Sequence, residues 1–193
     1  MLDVTAVVPT IPPRQHLLER ALDSVWNQTR VPASVVVVRD DDHTGAWATR
    51  NRGVASVTTG WIAFLDDDDE WLPDHVSSLV AHADATGADY VFSWYTTTYI
   101  PGGADPLGHY GRVFDPRHPH HTGSATGLLV RTSLARAVPF TAPADDATVG
   151  GEDWRFTLDC VARGARVVHL PERTYHWHWD RPRSTHGLPF TWA

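Results

Sequence analysis

The sequence predicts an α/β fold, a mostly parallel sheet with helices on both faces in one compact domain. Two observations carry that prediction. Short, nearly all-apolar runs alternate with segments whose apolar residues recur at helical spacing, and runs apolar throughout are the mark of strands buried on both faces. The chain has 193 residues, a length suited to one domain, and 42% hydrophobic against 20% charged residues supports a sizeable core.

Val4 to Pro9 reads as the first buried strand, and Pro12-Pro13 delays the next helix. From His16 to Gln28, Leu17, Leu18, Ala21, Leu22, Val25 and Trp26 recur at helical spacing, with Trp26 and Trp61 expected in the core. Ser34 to Val38 is a β-branched second strand. A helix is expected over Thr44 to Val57, a third strand over Trp61 to Leu65, a helix over Leu72 to Ala85 opened by Pro73, and a fourth strand over Tyr90 to Thr98. The second half is less regular. Pro101 to Thr122 reads as a long loop with a short strand at Arg112 to Phe114. Ala125 to Arg131 is a strand, Glu152 to Arg163 a helix, and Ala165 to Leu170 and Thr174 to Trp179 two further strands. The domain thus divides into a half over residues 1–98, a half over 99–179 and a flexible tail over 180–193.

Composition excludes several classes. The charge is 16 basic against 23 acidic residues, net −7; every basic residue is Arg, and 19 of the acids are Asp. Such a chain is a poor general binder of phosphate backbones. The single cysteine, Cys160, rules out an internal disulfide framework or a multi-thiolate zinc site and reads as a buried apolar residue. No apolar run is long enough to span a bilayer, and no basic-then-apolar leader is visible at the N-terminus, so a cytoplasmic location is expected.

Ligands of such sheets bind beyond the carboxyl ends of the strands. Two acidic clusters stand there, Asp40-Asp41-Asp42 and Asp66-Asp67-Asp68-Asp69. Four adjacent carboxylates repel one another and serve no purpose in folding. Asp66 and Asp68, two residues apart, can face one cleft and hold a hard divalent cation with bound phosphates. The plainer alternative is a solvated acidic turn with Asp69 capping the next helix. For Asp40 to Asp42 it is a turn into a helix N-terminus.

The stretch Gly60-Trp61-Ile62-Ala63-Phe64-Leu65-Asp66-Asp67-Asp68-Asp69-Glu70-Trp71-Leu72-Pro73 closely resembles the signature of family 2 glycosyltransferases, which have the GT-A fold. Val7-Val8-Pro9-Thr10 with Arg14, Val36 to Asp41, Thr49-Arg50-Asn51-Arg52-Gly53 and Gly150-Gly151-Glu152-Asp153-Trp154 match further motifs in the family's order. The resemblance implies inverting transfer of a sugar from a nucleotide-diphosphate donor (UDP-, GDP- or dTDP-sugar) to an acceptor hydroxyl on a glycan, a glycosylated small molecule or a protein. It implies that Pro9, Thr10, Arg14, Arg50, Asn51, Asp66 and Asp67 meet the donor, with Asp40 or Asp41 on the base. Asp68 and Asp66 hold Mn²⁺ or Mg²⁺, and a His near the end of the fold adds a ligand, His178 being first choice and His176 second. On a strand these two imidazoles share one face, and packing among the flanking Trp residues is the alternative. Asp153 is the catalytic base, with Glu152 its alternative. A helix N-terminus is expected to lower the Asp153 pKa.

Two rivals remain. A nucleotidyltransferase usually carries a Gly-rich basic loop after its first strand, where this chain has Pro9-Thr10-Ile11-Pro12-Pro13-Arg14. A catalytically inactive nucleotide- or glycan-binding domain is disfavoured by the acidic run and by Glu152-Asp153. Arg112, Arg117, Arg131, Arg181 and Arg183 could form a local patch for a nucleic-acid acceptor, which the net charge disfavours. His118, His120 and His121 cluster between prolines. A zinc site there lacks an evident fourth ligand, so a surface loop near the acceptor is the preferred reading. Trp71, Trp94, Trp154, Trp177 and Trp179 are candidates for stacking on a sugar or base, or for the core.

Overall fold

The structure, a computed structural model, describes residues 2–97, 105, 108–118, 121–122, 124–142 and 151–178. The proposed tail, Trp179, His120, Arg181 and Arg183 lie outside these residues. Seven strands form one sheet: β1 (Val4–Thr10), β2 (Ser34–Arg39), β3 (Trp61–Phe64), β4 (Glu70–Trp71), β5 (Tyr90–Thr96), β6 (Leu128–Arg131) and β7 (Val167–His176). Their spatial order is β2-β1-β3-β6-β5-β7-β4. β1 runs parallel to β2 and β3, and β5 parallel to β7. β6 is antiparallel to both β3 and β5, and β4 is antiparallel to β7. The sheet is mostly parallel, as expected, with two reversed strands.

Helices α1 (Gln15–Trp26) and α3 (His75–Thr86) cover one face; α2 (Ala46–Ser56), α4 (Thr132–Ala137) and α5 (Glu152–Ala162) cover the other. The period-2 alternation of strands sorts the core between them. Val4, Ala6 and Val8 pack with Leu18, Ala21 and Val25 of α1 and Leu79 of α3. Val7, Ile62 and Phe64 pack with Val54 of α2 and Phe156 and Cys160 of α5. Gly53 is where α2 crosses β1: a Cβ there would lie 2.5 Å from Cγ1 of Val7. Only glycine permits that approach.

Several boundaries differ from expectation for identifiable reasons. α2 starts at Ala46 because the amides of Thr44 and Gly45 bond to the Asp40 carboxylate. α3 starts at His75 because the Leu72 amide pairs with the Thr174 carbonyl, and the residue before Pro73 favours extended backbone. β6 begins only at Leu128, after a 3₁₀ turn over Ala125–Gly127. The two strands expected over 165–170 and 174–179 are one strand, β7, whose register against β5 shifts around Trp94. Arg112 to Phe114 forms no strand. Trp26 is 54% exposed rather than core: it follows Val25 by one residue, about 100° around the helix from the buried stripe. Trp61, Trp71, Trp94 and Trp154 are buried, as is Cys160.

Candidate active site

The site forms where β1, β2 and β3 end. After β3 the chain turns over Asp66 to Asp69, closed by the Asp69 amide donating to the Asp66 carbonyl at 3.1 Å. The four carboxylates then part company. Asp67 is buried and reaches back to the loop after β1: Thr10 Oγ1 donates to Oδ2 at 2.8 Å and Arg14 Nη1 to Oδ1 at 2.9 Å. Arg14 also bonds Asp68 at 3.1 Å. Asp66, Asp68 and Asp69 place one carboxylate oxygen each within 4.8 Å of one another. Spacing along the chain points to Asp66 and Asp68 for this role and to Asp69 only as a helix cap. The turn, tighter than a strand, brings Asp69 in.

Asp69 is buried, accepting from Thr126 Oγ1 at 2.9 Å and from the His178 amide at 3.1 Å. Burial and the neighbouring Asp66 outweigh those bonds and push its pKa up to about 8. Three clustered carboxylates, of which Asp66 and Asp68 also touch Arg50 and Arg14, offer the oxygen ligands a hard divalent cation takes. His178 donates or accepts at Nε2 with Glu70 at 2.7 Å, and His176 Nδ1 bonds Thr96 Oγ1 at 3.0 Å. The two rings are 4.4 Å apart, so the predicted shared face exists.

Arg50 is the hub of the site. Its side chain is almost wholly buried. It donates to Asp66 Oδ1 at 2.6 Å and to Glu152, and lies 3.3 Å from Asp153 Oδ1. Three carboxylates share one guanidinium. Burial pushes the Glu152 pKa up to about 7, against the pull of Arg50 and with a push from Asp153 and Asp66. Asp153 is raised too, by burial first and by Asp66, although Arg50 and the Ala125 amide favour its charged form. This reverses the expectation from the helix N-terminus. Asp153 does open α5, but desolvation outweighs the helix dipole there. The Ala125 amide donates to Asp153 Oδ2 at 3.2 Å, which explains the 3₁₀ turn before β6.

The remaining predicted donor residues have structural partners. Pro9 is buried within β1. Asp40 takes bonds from the Thr44 amide and hydroxyl, the Gly45 amide and Arg52. Burial raises its pKa, but these bonds win and hold it at about 2. Asp41 is exposed, 3.4 Å from Arg39. Asn51 clamps Phe140 from both sides, donating to its carbonyl at 2.8 Å and accepting from its amide at 2.9 Å. Arg20, absent from the sequence reading, donates to the Asp68 carbonyl at 3.1 Å and lies 3.0 Å from Glu70. Its signal was its place one residue before the buried Ala21 of α1, on the side facing the acidic turn. No helix among the described residues is long and apolar enough to cross a membrane.

Comparison with known proteins agrees with this fold. The family profile described as Glycosyl transferase family 2 matches residues 35–131, half of the chain. Succinoglycan biosynthesis protein ExoO of Rhizobium meliloti (strain 1021) is 31% identical over 216 residues, covering 91% of this chain and 60% of that protein. ExoW of the same organism is 29% identical over 138 residues, covering 58% of this chain and 42% of that protein. The chain therefore spans well under two thirds of these relatives. The crystal structure of S. aureus TarS 1-349 in complex with UDP-GlcNAc superposes with a TM-score of 0.75 at 16% identity, over 97% of this chain and 62% of that one. That likeness shows the fold. The family match spans the acidic turn after β3 and helix α2 with Arg50, and on that ground the chain belongs to glycosyl transferase family 2.

Proposed function

We propose that this domain is a metal-dependent, inverting glycosyltransferase that moves a sugar from a nucleoside-diphosphate donor to an acceptor hydroxyl. One observation carries the reading most: through Arg50, the acidic turn and the first residues of α5 meet in a single network. A cation seat and a candidate base therefore stand side by side, as transfer from a diphosphate requires.

In this reading Asp153 takes the proton of the acceptor hydroxyl as its oxygen bonds to the anomeric carbon. The bond from that carbon to the diphosphate breaks on the opposite face, which inverts the centre. The raised proton affinity of Asp153 suits a base that accepts its proton late in the step. Arg50 holds Asp153, Glu152 and Asp66 in register and favours the charged form of Asp153. Asp68 with Asp66 and Asp69 would hold Mn²⁺ or Mg²⁺, and His178 would join them by exchanging its Glu70 partner. When bound, the cation supplies Lewis-acid neutralisation of the leaving diphosphate. Thr10, Arg14 and Asp67 form the wall beside it, and the loop capped by Asp40 lies where the base would sit.

The UDP and UDP-GlcNAc complexes of TarS support a uridine-diphosphate sugar as the first donor to try. The two succinoglycan biosynthesis proteins favour a glycan acceptor. A thermal-shift screen of UDP-, GDP- and dTDP-sugars with and without Mn²⁺ tests the reading, since a ligand of the folded state raises the melting temperature. A rise that needs both a nucleotide sugar and the cation is expected. Indifference to every nucleotide sugar in the presence of Mn²⁺ would overturn it.

A further inference from the structure

A second cluster of ligating side chains lies outside the network around Arg50. His109, His118 and His121 each place one ring nitrogen within 4.8 Å of the others. The sequence points to His118, His120 and His121; His120 lies outside the described residues, and among those the fold adds His109, nine residues before His118. His121 is fully buried, and His109 nearly so. Their rings are 4.7 Å apart, and the His118 ring stacks on His109 at 5.6 Å, only 13° from parallel. Phe92 and Phe114 wall the His121 side, each ring 5.6 Å away.

Three features make this more than packing. The Nε2 atom of His121 and the Nδ1 atom of His118 are buried without a hydrogen-bond partner among the described residues, which native proteins rarely leave so. The nearby carboxylates are committed elsewhere: Asp115 pairs with Arg117, and Asp105 accepts from the His109 and Tyr110 amides. No anion is therefore placed to favour three imidazolium ions. Burial first, and then the neighbouring His109, lower the His121 pKa against the pull of hydrogen bonds to the Asp115 and His109 backbone. His169, the next imidazole, is 6.2 Å from His121 and has both nitrogens occupied, by the Phe92 carbonyl and the Gly111 amide.

We propose that His109, His118 and His121 form a second metal site, selective for Zn²⁺ over the hard cations of the acidic turn, with water in the fourth position. Imidazole nitrogens suit zinc and its neighbours in the transition series, whereas Mg²⁺ and Mn²⁺ prefer oxygen. Zinc–nitrogen bonds of about 2.0–2.1 Å in a tetrahedron set nitrogens roughly 3.4 Å apart. Small side-chain rotations bring a triad within 4.8 Å to that spacing. The Asp115 amide now donates to His121 Nδ1 at 3.2 Å, so Nδ1 is the unprotonated nitrogen. To ligate as a neutral ring, His121 offers Nδ1 itself or moves its proton to Nδ1 and offers Nε2. Either route gives up the contact from the Asp115 amide, and the proton stays on the ring nitrogen that does not face the metal.

The site would hold His109, His118 and His121 together beside Phe92 of β5. Just beyond it Thr122 bonds Thr157 at 3.1 Å, and Thr157 donates to the Asp153 carbonyl at 3.0 Å. Zinc here would order the histidines ahead of Thr122, whose bond to Thr157 leads on to the Asp153 carbonyl.

The test uses the full chain, stripped with a chelator and given Zn²⁺ in excess Mg²⁺, with bound metal counted after desalting. One zinc per chain is expected, and Co²⁺ in its place should give the intense visible absorption of a tetrahedral nitrogen site. His118→Gln, at the least buried ligand, should weaken zinc binding at least about tenfold, while Asp68→Asn should retain it. Retention of no zinc by the unaltered chain, wild-type affinity in His118→Gln, or loss of zinc in Asp68→Asn would each overturn the site. Should His118→Gln fail to fold, the cobalt spectrum of the unaltered chain decides: an octahedral spectrum refutes the proposal.

Discussion

Nη1 of Arg50 lies 3.3 Å from Oδ1 of Asp153 while the same guanidinium holds Asp66 at 2.6 Å. One buried cation thus links a residue after the third strand to a residue opening the last helix. The two are 87 positions apart in the chain, and neither has another fully buried cation beside it among the described ion pairs.

Removing that cation should be costly. Arg50→Met leaves Asp66, Glu152 and Asp153 clustered without a counter-charge. The loss of one partner from a buried ion pair typically costs about 3–5 kcal/mol. Urea unfolding should show a loss of that order, relieved in part by acid. A loss below about 1 kcal/mol would mean the carboxylates are solvated in solution.

Stability should fall as pH rises through neutrality. Asp69 and Glu152 have folded pKa values of about 8 and about 7, above their ordinary 3.8 and 4.5. The folded state therefore holds protons that the unfolded chain has released. The stability this confers is complete below the ordinary values and is lost as pH climbs through 7 to 8. Asp40, held at about 2, acts only at the acid end, and the buried His75 and His169, held at about 3 and about 4, oppose the trend only as pH falls through their ordinary 6.5. The metal-free melting temperature should drop by several degrees between about pH 6 and about pH 9, and Mn²⁺ should restore part of it. A flat profile would contradict the burial of Asp69.

Gly53→Ala should destabilise by about 1–3 kcal/mol, the usual cost of overpacking a core. The new methyl would meet Val7 at 2.5 Å, and both α2 and β1 would have to yield. Pairing it with Val7→Ala should recover part of the loss, as a double-mutant cycle would show. Simple additivity would place the strain elsewhere.

Asp40→Ala should loosen the loop into α2. It strips acceptors from the Thr44 and Gly45 amides and a partner from Arg52; these groups can turn to water, so the loss is that of the hydrogen bonds themselves, about 0.5–1.5 kcal/mol each. Hydrogen exchange at Thr44 and Gly45 should quicken well before the rest of the domain opens. Unchanged protection there would refute the capping role.

Much of this was legible in the chain. Alternating apolar runs placed β1, β2, β3 and β5, and the spacing of Leu18, Ala21 and Val25 placed α1, because periodicity records which side faces the core. The reversed β6 and the two-residue β4 were not, since strand direction and short edge pairings depend on partners distant in sequence. Asp66, Asp68 and Asp153 were named from their motifs. The convergence of Asp69 depends on a turn geometry that the repeated Asp run does not specify. The direction of the Asp153 pKa was misjudged because a helix N-terminus is visible in sequence, whereas the burial that outweighs it is not.

The most direct test is the rate of sugar transfer by Asp153→Asn, measured beside its affinity for a nucleotide sugar with Mn²⁺. The substitution keeps the shape and the Ala125 contact while removing the proton acceptor. Transfer should fall by about 10²–10⁴, the usual contribution of a general base, with donor affinity nearly unchanged. Transfer within a few-fold of the unaltered domain would contradict the assignment of Asp153 as the base.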